Sequence, residues 1–228
     1  MQPGRSVRVN DNQLAKFQMI KACKESLYVL AKNVLGYRDI TEKTHGEIID
    51  ALEDANTRKL ICVPRGCLKS SLACVAYPIF LLINNPDLRI LIDSELYTNS
   101  ATFLREIKGH IQSPFFVDLF GDWKTKVWNE SEVIISKRTK MVKEATITVG
   151  GIGTTKVGQH FDVIIGDDYN SPANTNTIEN AKKVIDHYKY NLSILEPTGT
   201  YVVIGTRYSS NDLIGHILST ESHDCEVA

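Results

Sequence analysis

Three runs of this sequence are apolar on consecutive residues rather than on alternate ones: KLICVP (59–64), FDVIIG (161–166) and YVVIG (201–205). A strand with no polar face must be buried on both sides. In a chain that places helices between its strands, that requires a mainly parallel sheet covered on both faces. RILID (89–93) reads as a fourth such strand, and residues 132–136 and 145–149 as two shorter ones forming a hairpin. Leu14, Phe17, Ile20, Leu27, Leu30, Val34 and Leu35 recur at helical spacing, with Gly36 placed to end the run. A second helix is expected from Thr44, because Thr44 and Glu47 have capping-box spacing ahead of Ile48, Ile49 and Leu52. Further helices are read over 72–83, over 99–112 with Phe103, Leu104, Ile107 and Ile111 inward, over 177–195 and over 211–218. With 228 residues, 43% of them hydrophobic, and no repeat or linker, the expectation is one α/β domain over 1–228. Residues 1–43 would form a helical arm and 44–228 the core.

Each of the three apolar strands runs straight into polar chemistry. After residue 64 comes RGCLKSS (65–71) and then a helix-like apolar stretch. Strand, turn and helix in that order can aim backbone N–H groups and the positive helix end at phosphate. Lys69 then lies where a lysine reaches the outer phosphates, and Ser70 where a hydroxyl binds Mg²⁺. The loop is irregular: Val63 and Leu68 stand where the usual pattern has its two glycines, and Gly66 alone supplies a flexible backbone. Taken by itself the segment also reads as an ordinary strand, turn and helix carrying an exposed lysine.

At the second strand end, Asp167 and Asp168 place two carboxylates where open α/β sheets bind ligands. In nucleotide hydrolases of this plan the first acid holds the metal and the second orients or deprotonates the attacking water. A solvated turn helped by Asn170 and Pro172 is the alternative, and it weakens once Lys69 and Ser70 are set beside the pair. The third strand ends at Gly205 and Thr206. There a hydroxyl can sense the γ-phosphate or the lytic water, or merely cap a turn.

Bulk properties narrow the partners. Lys plus Arg number 26 and Asp plus Glu 27, for a net charge of −1, so nucleic-acid contact should be local rather than spread over a basic domain. Cys23, Cys62, Cys67, Cys74 and Cys225 form no C-x-x-C pair and have no histidine at zinc-finger spacing. Cys62 and Cys74, in apolar runs, are expected to be reduced core residues. The polar first residues are unlike a signal peptide, and the run 73–83, interrupted by Pro78, is too short to span a bilayer. A soluble, intracellular protein with no membrane association is expected.

In this order the motifs resemble those of the ATPase half of the bacteriophage terminase large subunit, the motor that packages viral DNA. THGEIIDAL (44–52) is similar to the helix before that family's phosphate loop, and PRGCLKSS (64–71) to its deviant Walker A. YPIFLLINNP (77–86) is similar to the helix that follows. GQHFDVIIGDD (158–168) and GTRYSSNDL (205–213) supply the later motifs.

The resemblance implies a RecA-like P-loop NTPase with a mainly parallel sheet, binding ATP and Mg²⁺. ATP would lie over Arg65, Gly66, Cys67, Leu68, Lys69, Ser70 and Ser71, with Mg²⁺ held by Ser70 and Asp167. Asp168 would activate water, and Thr206 would act as sensor. Arg65 occupies the place of the family's loop arginine, which implies a contact to the γ-phosphate or a nearby acid. His45 falls where the family has an adenine-side residue. The family's catalytic acid is commonly Glu, whereas this chain has Asp168. Its trans-acting arginine has no clear match: Lys156 stands at that position and Arg138 is the other candidate.

The implied partners are double-stranded DNA, a portal protein and a small terminase subunit. A homo-oligomeric ring in the host cytoplasm is implied too, with a monomer for the isolated domain. No nuclease domain is read in this chain, so a motor half without nuclease activity is expected. A helicase-like or repair ATPase, a nucleotide-independent assembly module, and a nuclease using Asp167 and Asp168 as metal ligands are the rival readings.

Overall fold

The computed structural model of the chain describes residues 11–64, 66–154, 156–221 and 226–227. Seven strands form one sheet: β1 (Arg58–Cys62), β2 (Ile90–Ser94), β3 (Glu132–Val133), β4 (Ile147–Gly151), β5 (Phe161–Asp167), β6 (Leu195–Gly205) and β7 (Glu226–Val227). Their order across the sheet is β3-β4-β2-β5-β6-β1-β7, and every pairing is parallel except β3 with β4. The expected hairpin is that antiparallel pair, shorter at β3 than its sequence run.

The consecutive apolar residues are explained by where each side chain goes. Ile61, Ile92, Val163, Ile165, Val202 and Ile204 enter one core. Leu60, Leu91, Ile164, Tyr201 and Val203 enter a second. Neighbours along a strand point to opposite faces, so the two cores lie on the two sides of the sheet. The first is closed by α1 (Asp11–Glu25), α2 (Leu27–Val29), α3 (Glu42–Glu53), α4 (Tyr77–Asn84), α5 (Tyr97–Ile111) and α6 (Pro114–Phe120). The second is closed by α7 (Ile178–Ser193) and α8 (Leu213–Thr220). No helix among the described residues is long and apolar enough to cross a membrane.

Several boundaries differ from the sequence reading, each for a local reason. The helix expected from Leu14 to Leu35 is divided at Ser26, an extended N-cap whose hydroxyl accepts the Val29 N–H. After it, α2 runs into a π turn at Leu30–Val34. Leu14 and Phe17, expected inward, are 48% and 65% exposed. The next helix starts before Thr44: Thr41 is its N-cap, with Oγ1 accepting from Thr44 N–H at 3.3 Å. The helix after the phosphate loop is wound as a π turn over Ser71–Ala76 before α4, and the Tyr77 N–H bonds back five residues to the Leu72 carbonyl. Pro78, which has no N–H to give, sits just past that change of winding. Helix α6 spans only two turns, too few for its sequence to show a helical period. Cys62, expected in the core, is half-buried, whereas Cys74 is fully buried.

Lys59 ties β1 to α3. Although it lies in an apolar run, its buried ammonium donates to the carbonyls of Ala51, Leu52 and Asp54 at 2.7, 2.8 and 2.6 Å. These are acceptors that the end of α3 leaves without helical partners. Lys59→Met keeps the apolar stem and abandons three carbonyls, those of Ala51 and Leu52 buried. It should lower unfolding free energy by about 2–4 kcal/mol, read from urea denaturation; a loss within experimental error would show that water satisfies those carbonyls equally well.

Candidate phosphate-binding site

The carboxyl ends of β1, β6 and β5 are adjacent, with Cys62 in register with Gly205, and Asp167 with Ile204. The phosphate loop leaves β1, the two aspartates close β5, and β6 lies between them. Residues more than ninety positions apart in sequence therefore meet. Ser70 Oγ donates to Asp167 Oδ1 at 2.7 Å, and Lys69 Nζ lies 3.9 Å from Asp168 Oδ2. Lys69 is buried, with 6% of its surface exposed.

The backbone of the loop accounts for its missing glycine. Gly66 has φ +87°, and Leu68 has φ +49°, the left-handed region that glycine normally supplies. For leucine that conformation costs roughly 1–2 kcal/mol. Its side chain offsets part of this by packing against the larger core. The turn that aims Lys69 and Ser70 is thus kept without the second glycine. Asp168 is the other non-glycine residue with positive φ among those described, at +40°. The two strained residues stand on either side of one site, as backbone strain at functional positions tends to do.

The β6 end completes the arrangement. Asp168 N–H donates to the Ile204 carbonyl at 2.8 Å. A Cβ on Gly205 would lie 3.5 Å from Asp168 Oδ1, so that oxygen rests over the glycine. Asp168 Oδ1 and Thr206 Oγ1 are both buried without a hydrogen-bond partner in the protein. Such groups cost about 1–3 kcal/mol each when left unmade, and a reaction centre that orients water and phosphate gives them a purpose. Beyond Thr206 the chain is pinned by Asp212, the fully buried N-cap of α8. Its carboxylate accepts from the N–H groups of Tyr208, Ser209 and Gly215.

Charge is balanced unevenly. Burial pushes the Asp167 carboxyl up to about 6, and the neighbouring Asp168 pushes the same way. The Ser70 hydroxyl, the Lys69 ammonium and the Cys74 thiol pull it back. Hard oxygen donors from Ser70 and Asp167 suit Mg²⁺, which keeps most of its shell for water and phosphate oxygens. Among the described residues no group of three or more His, Cys, Asp or Glu could hold a metal. A divalent ion here would take its remaining ligands from water and nucleotide phosphates.

The other expected residues are placed as follows. Arg65 lies outside the described residues. Gly66, Cys67, Leu68 and Ser71 line the turn and first helical residues with Lys69 and Ser70. His45 is buried, with Nδ1 3.1 Å from the Thr41 N–H and 3.2 Å from the Thr41 carbonyl, so its ring serves the start of α3. Lys156 lies in the connection from β4 to β5, with Asp93 and Glu132 as its electrostatic neighbours. Its N–H donates to Tyr190 Oη at 2.7 Å, and burial lowers its ammonium pKa. Arg138 is remote from the loop: Nη1 donates to the Glu144 carbonyl at 2.6 Å, and its electrostatic neighbours are Asp87, Arg89, Glu144 and Asp162. Asp162 opens β5 whereas Asp167 closes it, so Arg138 belongs to the opposite end of the sheet.

No family model matches the sequence, and no curated protein matches it. Solved structures do. A variant of S. cerevisiae Dbp5, bound to Nup159, Gle1, IP6 and ADP, is similar with a TM-score of 0.51 at 11% identity, over 93% of this chain and 51% of that one. The fold is that of an α/β P-loop NTPase. The UvsW helicase from bacteriophage T4 aligns with a TM-score of 0.45 at 16% identity, over 81% of this chain and 59% of that one. The fold comparison rests on Dbp5, whose TM-score is the higher, and at such identities fold is all that is shared. The chain spans 51% of the Dbp5 chain and 59% of the UvsW chain.

The raised Asp167 carboxyl makes stability depend on pH. Between about pH 4 and pH 6 the unfolded chain releases this proton while the native state keeps it, so native stability falls as pH rises through that window and levels off above it. Asp167→Asn has no proton to lose. In metal-free, nucleotide-free buffer it should be more stable than the parent at pH 7.5, by on the order of 2 kcal/mol, with the gain shrinking towards pH 4.5. An equal gain at both pH values in urea titrations would refute the assignment.

Proposed function

We propose that this chain is the ATPase motor domain of a viral DNA-packaging terminase, hydrolysing ATP to ADP and phosphate and driving double-stranded DNA into a procapsid. The observation that carries the hydrolase reading is the convergence of Ser70 on Asp167 and of Lys69 on Asp168, at the ends of two strands separated by β6. The packaging role rests on the order of the motifs and on Arg65, four positions before Lys69, at the place of the family's loop arginine.

In this mechanism the loop N–H groups and Lys69 bind the β- and γ-phosphates. Ser70 and Asp167 would hold Mg²⁺, which when bound would supply charge neutralisation at the phosphate oxygens. Asp168 takes up or orients the proton of the attacking water. Its side chain is one methylene shorter than the common Glu, so that water must sit close to the end of β5. The left-handed turn at Asp168 and its placement over Gly205 set the direction of the carboxylate. Thr206, bonded covalently to the strand end that Asp168 touches, passes loss of the γ-phosphate to the loop pinned by Asp212. Most of the rate comes from positioning and fixed charge. A portal protein, a small terminase subunit and neighbouring copies in a ring are the partners this role requires.

A helicase-like or repair ATPase on the same core is the second reading, favoured by the shared fold with Dbp5. Strand unwinding by the full-length protein, with no ATP-dependent packaging into procapsids, would decide for it.

Steady-state phosphate release tests the common chemistry. Lys69→Ala and Asp168→Asn should each lower turnover by about 100-fold or more, and parental rates in either variant would end the assignment. If a neighbouring subunit contributes Lys156 or another cation in trans, specific activity should rise with protein concentration. It should stay constant if each chain is self-sufficient.

A further inference from the structure

The residue after the two aspartates is held more firmly than a turn requires. Asp93, near the end of β2, is in register with Gly166 of β5. The Tyr169 ring folds back over that same glycine, where an added Cβ would come within 2.2 Å of it. The tyrosine is buried, and its hydroxyl donates to Asp93 Oδ2 at 2.9 Å while lying 3.1 Å from Tyr201 Oη. Helix α7 reaches the same point. Asn191 Nδ2 donates to Asp93 Oδ2 at 2.7 Å and to Tyr169 Oη at 3.0 Å, and His187 Nε2 lies 2.6 Å from Asp93 Oδ2. The His187 ring meets the Tyr169 ring edge-on, with centroids 5.7 Å apart. Elements β2, β6 and α7 thus converge on one phenol.

What they hold is the strained residue. Asp168 stands between Gly166, which the ring covers, and Tyr169, which the network fixes. Its left-handed backbone is unfavourable for an aspartate and persists only where the surroundings enforce it. The Asp168 N–H bond to Ile204 restrains one side of the turn, and Tyr169 restrains the other. Released from Tyr169, Asp168 would relax towards ordinary φ and swing its carboxylate.

We propose that Tyr169 is a positioning residue for Asp168: its hydroxyl, held by Asp93 and Asn191 with His187 bracing Asp93, enforces the backbone turn that aims the water-activating carboxylate. Turnover then depends on how α7 sits against β2. This rests on the reading of Asp168 as the group that activates water.

Tyr169→Phe removes the hydroxyl and keeps the ring over Gly166; Asp93→Asn weakens the acceptor and keeps the tyrosine. In each variant kcat for ATP should fall about 10- to 100-fold, because a displacement of about 1 Å at a reacting group has that order of effect. KM, and the affinity for a ribose-labelled, non-hydrolysable ATP analogue with Mg²⁺, should stay within about twofold. Tyr169→Phe added to Asp168→Asn should cost little further activity, as expected of two changes acting through one group. Independently of catalysis, amide hydrogen exchange of residues 168–169 should speed up in Tyr169→Phe while the β5 amides stay protected. A kcat within twofold of the parent, a parallel loss of kcat and analogue affinity, or unchanged exchange at 168–169 would each overturn the proposal. A parent that binds the analogue but hydrolyses no ATP would instead refute the ATPase reading, and the exchange measurement would still decide whether Tyr169 restrains the turn.

Discussion

Burial of β1, β6 and β5 on both faces is the constraint on which the phosphate site depends. A parallel strand with apolar side chains on either side cannot slip by one residue, because a slip would exchange the contents of two cores. Its carboxyl end is therefore fixed in space. Three such ends lie side by side, and the Ser70–Asp167 hydrogen bond closes the gap between the outer two. Shape and charge at the site follow from that alignment: a buried lysine, a carboxyl raised by burial, and two orphaned oxygens over the end of β6.

Strain is concentrated in the same place. Leu68 and Asp168 are the non-glycine residues with left-handed backbones among those described, and each adjoins a group assigned to the chemistry. Leu68 is supported by hydrophobic contact. Asp168 is supported by a backbone bond to β6 on one side and by Tyr169 on the other. A helix turn wound as π begins directly after Ser70, and Cys74 within it reaches Asp167. Local irregularities here are held by dense packing around them and not by flexible sequence.

The core strands were legible because consecutive apolar residues admit few interpretations. Asp167 and Asp168 were legible because carboxylates at the end of such a strand are conspicuous. Helix limits were read less well. Ser26 and Thr41 each cap a helix that the spacing of apolar residues placed differently, and one hydroxyl bond decides such a boundary. Leu14 and Phe17 fit a helical stripe, yet both stay largely exposed. The Tyr169 network was not legible. Asp93, His187 and Asn191 are nearly a hundred positions apart at the extremes, and singly each is an ordinary polar residue. The i, i+4 spacing of His187 and Asn191 on one helix was the available signal, and it has no meaning without a partner strand.

By itself the sequence determined an α/β layering, the strands that must be buried, and the order in which a phosphate loop, an acidic pair and a small polar strand end occur. These are set by local composition, since a strand apolar on both faces leaves no other arrangement open. Tertiary structure alone decided that β6 separates β1 from β5, that Leu68 takes a glycine's conformation, that His45 serves its own helix, and that Arg138 lies at the far end of the sheet. The strand order depends on contacts between residues distant in the chain, and the others on how side chains settle once the backbone is folded. The energy of such contacts comes from geometry that no window of sequence contains.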